Sequence, residues 1–242
     1  MRRSGGQHGD VFTSPEVVSY MLDLVGYTSG KDLSTIKILE PSCGEGEFVI
    51  EIVRRLRDSS QRYGFDFGKT LLDNVYAYDI DEKKIDICKA RLAKDGIAVS
   101  LDANIRYADF LTQQIPDVDV VIGNPPYIRY EQIPQDQLSG YKQLFHTFYY
   151  RADLYILFFE KTLRNLRPGG RHCFICSNRW LKNEYGKKLR AWIAQSFRLE
   201  TILSLEKAPD AFQEEVLAYP AITLISKASP AASFTFEELS IS

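Results

Sequence analysis

The chain has 242 residues, 45% of them apolar and 26% charged, which suffices for one large buried core without disulfide staples. Its 30 basic and 32 acidic side chains leave a formal charge of −2, which argues against gripping nucleic acid by bulk positive charge. No stretch approaches the roughly 20 apolar residues of a membrane helix. The residues after Arg2 and Arg3 lack the apolar core of a signal peptide. Four cysteines in a chain this long form no disulfide framework, so the expected compartment is a reducing cytoplasm with no membrane partner.

The predicted elements alternate. A first helix runs from Ser14 to Gly26, where Val17, Val18, Met21, Leu22 and Val25 recur at helical spacing behind a Ser14 cap and Pro15. Ile36 to Leu39 is a strand, followed by a Gly-containing turn and a helix from Phe48 to Arg57. Asn74 to Asp79 is a second strand, with a helix from Asp81 to Lys94. Asn104 to Tyr107 is a short third strand, and Val118 to Ile122 is apolar enough to be central. A helix from Asp153 to Leu166 is expected to end at Pro168-Gly169-Gly170. Arg171 to Cys176 is a strand, Leu181 to Ser196 a helix, and Glu200 to Leu205 and Ala221 to Ser226 are the last two strands. The alternation predicts one α/β domain over residues 1–242: a mostly parallel seven-stranded sheet with helices on both faces. Cys173 and Cys176 form a C-x-x-C, but three residues apart on a strand they face opposite ways, so buried thiols are expected rather than a metal or redox pair. The three histidines are scattered and no metal site is expected.

Sheets of this kind bind ligands beyond the carboxyl ends of their strands. The first strand ends in Glu40-Pro41-Ser42-Cys43-Gly44-Glu45-Gly46-Glu47-Phe48. Gly44 and Gly46 let backbone approach a ligand, and the following helix aims its first amides at it. Glu40, Glu45 and Glu47 would repel a pyrophosphate and suit a ligand with positive charge. The second strand ends at Asp79, where folds of this type hold ribose hydroxyls, while Asp81 has the place of a helix cap. The third is followed by Asp109 and Phe110, an acceptor for an exocyclic amine and a ring to lie against a base.

The fourth strand ends in Asn124-Pro125-Pro126-Tyr127. The two prolines hold the segment extended and rigid. The Asn124 amide oxygen and the Pro125 carbonyl can then converge on one point, which is what a planar –NH₂ group requires. Accepting its hydrogens favours a lone pair localised on nitrogen, and Tyr127 offers a face for a flat heterocycle.

Taken together these residues resemble the class I S-adenosylmethionine-dependent methyltransferases, and within them the gamma-type, TaqI-like N6-adenine DNA methyltransferases of restriction–modification systems. The resemblance extends from about Val11 to Ser226. Gly9-Asp10-Val11-Phe12-Thr13-Ser14-Pro15-Glu16 looks like motif X, Leu39 to Phe48 like motif I, and Asp153 to Glu160 with Pro168-Gly169-Gly170 like the region after the catalytic motif. It implies that Thr13 and the turn from Ser42 through Gly44 to Gly46 hold the methionine part of S-adenosylmethionine, Asp79 its ribose, and Asp109 and Phe110 its adenine, with Glu40 also among the cofactor-binding residues. It further implies that Asn124, Pro125, Pro126 and Tyr127 form the catalytic motif. Tyr127, Phe212 and Arg129 would contact the substrate, with Phe212 on the second face of the target base. The implied chemistry is direct displacement, the amine attacking the sulfonium methyl in line, with the target adenine flipped out of the duplex. The resemblance also implies a prokaryotic cytoplasmic enzyme.

Other amine or amide substrates fit the same fold: Asn-Pro-Pro-Tyr-Ile is also read in glutamine methyltransferases of release factors, and ribosomal RNA is a further candidate. A non-catalytic subunit that binds DNA or a partner is a third reading, which the intact Asn124 motif and Asp79 disfavour. Family members that act alone usually continue into a target-recognition domain, so a specificity domain or subunit in trans is expected. The net charge also hides its distribution. Residues 125–192 carry 12 basic and 5 acidic side chains, whereas residues 1–124 carry 15 and 20. Positive charge beside the target pocket suits a phosphate backbone, and the acidic part suits a cationic cofactor.

Overall fold

The structure is a computed structural model and describes residues 13–205 and 220–238. The chain follows the order α1 (Pro15–Leu24), β1 (Ile38–Glu40), α2 (Glu47–Tyr63), α3 (Phe67–Asn74), β2 (Val75–Asp79), α4 (Glu82–Lys94), β3 (Ile105–Tyr107), β4 (Val118–Gly123), α5 (Gln135–Leu144), α6 (Tyr155–Arg164), β5 (Leu166–Ser177), α7 (Lys187–Ser196), β6 (Arg198–Ser204), β7 (Pro220–Ser226) and β8 (Thr235–Glu238). Local chemistry sets several boundaries. Ser14 accepts from Val17 N at the start of α1, and Asp81 accepts from Lys83 N at the start of α4. Gly64, left-handed at φ 76°, closes α2.

The strands form one sheet in the order β3-β2-β1-β4-β5-β7-β6-β8. From β3 to β5 every pairing is parallel, with Ile38 beside both Val75 and Val120. β7 runs antiparallel to β5 and β6. The chain order reverses between β1 and β4, so the crevice at their carboxyl ends is the topological switch point. The seven expected strands are joined by an eighth, β8, which pairs parallel with β6 at the sheet edge.

Helices cover both faces. Alternate residues of the central strands divide between two cores: Ile38, Val120, Ile122, Cys173 and Ile175 pack under α1, α2 and α4, while Leu39, Val121, Phe174 and Cys176 pack under α5, α6 and α7. Cys173 and Cys176 thus face opposite sides, both buried, and desolvation pushes both thiols up. Among the described residues no helix is long and apolar enough to cross a membrane, and no cluster of His, Cys, Asp and Glu could hold a metal.

One expectation is corrected. Pro168-Gly169-Gly170 lies inside β5 and does not end the preceding helix, which stops at Arg164 with Asn165 as its cap. Gly169 adopts φ 79°; its amide donates to the Lys227 carbonyl, and Lys227 N donates back to Gly170 O. The tripeptide is thus an irregular start to a strand, and the backbone freedom of Gly169 is used there.

Candidate active site

The motif I turn hangs on the end of β2. Cys43 N donates to Tyr78 O at 2.8 Å and Gly44 N to Asp79 Oδ2 at 2.8 Å. Asp79 Oδ1 accepts from Asp81 N at 2.9 Å. Asp79 therefore ties together the turn after β1 and the start of α4, besides facing the crevice. The two glycines divide the work. Gly44 lines the crevice at φ 54°. Gly46, at φ 95°, does not line it. A Cβ there would lie 2.5 Å from Cys88 Sγ, so this glycine lets α2 pack against α4.

On the neighbouring strand, Asn124 leaves β4 directly beside this turn. Its backbone carbonyl accepts from Ser42 Oγ at 3.1 Å, and its Nδ2 donates to Thr13 Oγ1 at 3.2 Å. Residues 82 and 111 positions away in sequence thus fix both its backbone and its amide plane. Thr13 is itself buried and stands just before α1.

These elements enclose a cavity of about 360 Å³, in the usual range for a small-molecule site. Its walls include Thr13, Glu40, Ser42, Gly44, Asp79, Asp109, Phe110, Asn124 and Pro126. Five lining side chains are acidic (Glu40, Glu47, Asp79, Asp81, Asp109) and Lys84 is the one basic residue among the described lining. Glu40 is fully buried and its Oε2 has no hydrogen-bond partner among the described residues. Desolvation, then the neighbouring Cys88, Glu47 and Asp79, raise its carboxyl well above the usual range. A buried carboxyl with one oxygen unpartnered among the described residues, in an acid-rich cavity, fits a ligand that brings positive charge, as a sulfonium with an α-ammonium does.

Asp109 caps a short helical turn, Phe110–Thr112, accepting from Leu111 N at 3.0 Å. Phe110 stacks on Phe158 of α6, with centroids 5.5 Å apart and planes 24° apart, so the two form one aromatic wall. Lys161 stands 5.0 Å from the Phe110 ring centroid and donates to the carbonyls of Leu111 and Gln113. Burial lowers its ammonium to about 8, with Asp109 opposing the shift.

Other expected residues fall differently. Pro125 and Tyr127 are outside the cavity wall, while Pro126 and Ile128 are in it. Tyr127 packs its ring against the second core, its hydroxyl buried without a partner among the described residues, and desolvation raises that hydroxyl well above its usual range. Arg129 is exposed and lies outside the cavity wall; its backbone N–H donates to Gln132 Oε1 at 3.2 Å. Phe212 lies outside the described residues. Within the basic block, Arg190 braces the carbonyls of Trp180 and Asn183, and Arg151 and Lys187 pair with Glu131 and Glu184. Lys142 lies over Tyr130 and Lys188 over Tyr149.

Sequence reasoning did not find Phe158, Tyr141, Gln137 or Ile133, which also line the cavity. Phe158 sits in an unbroken run at the start of α6, Tyr155-Ile156-Leu157-Phe158-Phe159, so no stripe distinguishes the ligand-facing position.

Comparisons with known proteins bear on the family and the fold. The Eco57I restriction-modification methylase pattern matches residues 73–212. The type II methyltransferase M.XhoI of Xanthomonas vasicola is 40% identical over 240 residues, covering 93% of this chain and 43% of its own. M.PaeR7I of Pseudomonas aeruginosa is 37% identical, covering 90% of this chain and 40% of its own. The chain thus spans about two fifths of the length of these curated relatives. Among solved structures, a Listeria monocytogenes protein classed with the class I S-adenosylmethionine-dependent methyltransferases superposes with a TM-score of 0.71 at 21% identity, covering 98% of this chain and 68% of that one. A methyltransferase subunit of a type I restriction–modification system from Streptococcus thermophilus gives 0.71 at 15%, covering 96% and 48%. The chain has the class I methyltransferase fold and belongs to the Eco57I restriction-modification methylase family.

Proposed function

We propose that this chain carries the methyl-transfer centre of a DNA adenine-N6 methyltransferase of a restriction–modification system. The observation that carries the reading is the clamp on Asn124. Ser42 and Thr13 hold its backbone carbonyl and amide plane in the wall of an acid-lined cavity. Nδ2 donates to Thr13, which fixes the amide with its acceptor, Oδ1, on the other side; that oxygen is buried. Asn124 Oδ1 and the Pro125 carbonyl accept the two hydrogens of the target amine and draw its lone pair out of conjugation. Tyr127, Arg129 and Phe212 are assigned to the target nucleotide, with the base flipped out of the duplex. S-adenosylmethionine supplies an already activated methyl group when bound. Glu40 and the motif I turn hold its charged amino-acid end, Asp79 its ribose, and Asp109, Phe110 and Phe158 its adenine. Catalysis then rests on positioning and electrostatics rather than on a protein nucleophile.

DNA is favoured as substrate because the curated relatives are type II methyltransferases and the Asn-Pro-Pro-Tyr motif occurs with a Glu-Pro-Ser-Cys-Gly turn. The test offers methyl-labelled cofactor with duplex DNA, ribosomal RNA or release-factor protein in separate reactions. Label in DNA is expected. Label in RNA or protein, with DNA unlabelled, would replace this reading by one of its rivals.

A further inference from the structure

Helix α5 contributes to the roof of the cavity through Gln137 and Tyr141, and Ile133 just before it lines the cavity too. Tyr141 is buried, and its hydroxyl lies 3.1 Å from Asp109 Oδ2 and 3.3 Å from Gln137 Oε1. A phenol has one proton to give. The charged acceptor takes it, because hydrogen bonds to ionised groups are the stronger. Gln137 Oε1 stands at the longer distance as a second, neutral acceptor for the same hydroxyl. The other Asp109 oxygen is already held by Leu111 N. Both carboxylate oxygens are therefore anchored, one by the backbone and one by α5, and the torsion about Cβ–Cγ, otherwise broad, is fixed.

Resting on the cofactor reading above, we infer that Tyr141 is a positioning residue that makes the pocket specific for a 6-aminopurine cofactor. Held this way, the carboxylate plane keeps one remaining acceptor direction of Oδ2 for the ligand. A carboxylate has no hydrogen to give, so an exocyclic amine is accepted there and a 6-oxo group meets an acceptor facing an acceptor. Without the phenolic proton the carboxylate can swing, and the fixed direction is lost. An ordinary phenol is already protonated at neutral pH, and burial and the nearby Asp109 charge raise the Tyr141 hydroxyl further, so it stays a donor. Leu138 and Phe145 in the second core and the Lys142–Tyr130 bond at 3.2 Å anchor α5 independently of this contact, so the hydroxyl can be removed without removing the helix.

The test is calorimetry of the chain with S-adenosylhomocysteine and with its inosine counterpart, whose purine carries a 6-oxo group. Wild type should bind the adenine ligand more tightly. Tyr141→Phe should weaken the adenine ligand by about five- to tenfold while leaving the inosine ligand nearly unchanged, so the preference collapses. In an Asp109→Asn background the same substitution should add nothing. An unchanged preference in Tyr141→Phe, whether both ligands bind as before or weaken equally, overturns the inference while leaving the cofactor reading intact. Wild type binding neither ligand overturns both, and the two failures are thereby distinguishable.

Discussion

The two glycines of the motif I turn should fail in different assays when given a side chain. Gly46 sits at φ 95°, and an added Cβ would meet Cys88 Sγ at 2.5 Å and Cys88 Cβ at 3.2 Å. The left-handed backbone alone costs a side chain about 1–2 kcal/mol. A carbon more than 1 Å inside contact distance of a buried sulfur adds an overpacking cost of about 1–3 kcal/mol. Gly46→Ala should therefore lose roughly 2–5 kcal/mol in urea unfolding. Gly44 sits at φ 54°, and its added Cβ would meet only Glu47 Oε2 at 3.8 Å. Gly44→Ala should carry the backbone cost alone, about 1–2 kcal/mol, but it alters the cavity wall and should weaken cofactor binding more than about tenfold. Cys88→Ala, which removes the struck sulfur, should make the double variant with Gly46→Ala more stable than the two single losses predict. Equal behaviour of the two alanine variants in both assays, or no coupling between Gly46 and Cys88, would refute this division of labour.

Asn124→Ala should lower transfer by roughly 10²–10³-fold, the scale of losing a preorganised polar contact at the reacting group, with cofactor affinity nearly unchanged by calorimetry. Normal turnover would remove Asn124 from catalysis. Asp79→Ala releases the amides of Gly44 and Asp81, so cofactor affinity should fall by about 30-fold or more; an unchanged dissociation constant would contradict the assignment. Glu40 has a raised folded-state pKa, so above about pH 4.3 the folded chain binds a proton that the unfolded chain has released. Its contribution to stability of the ligand-free protein is thus present at low pH and declines as pH rises through that window. Glu40→Gln should flatten this decline in unfolding midpoints taken at several pH values, and an unaltered slope would count against a protonated Glu40.

The strand ends were legible because rigid or special residues mark them. Glu40, Asp79 and Asn124 each follow an apolar run, and glycine or proline punctuates the turns after Glu40 and Asn124, so the switch point and most of its side chains could be placed. The roof was not legible. α5 buries only Leu138 and Tyr141 among polar neighbours and starts at Pro134 with no side-chain cap bond, so neither periodicity nor capping announced it. α3 is eight residues long with a glycine near its start. β8 is exposed throughout and has Phe236 as its single apolar residue, so no buried face marked it. The proline and glycines of Pro168-Gly169-Gly170 are helix-stop signals in sequence, but pairing with Lys227 absorbs them into a strand. Asp79 was expected on ribose grounds alone; its structural task of holding the Gly44 amide depends on a contact 35 residues apart. The Thr13 and Ser42 clamps on Asn124 depend on separations greater still.

The central claim is that the Asn124 centre methylates the exocyclic amine of adenine in DNA. The most direct measurement is nucleoside analysis by mass spectrometry of duplex DNA incubated with S-adenosylmethionine and either the wild-type chain or Asn124→Ala. The account predicts N6-methyldeoxyadenosine as the new nucleoside with wild type and its loss with the variant; a methylated cytosine, or N6-methyldeoxyadenosine formed equally well by the variant, would contradict it.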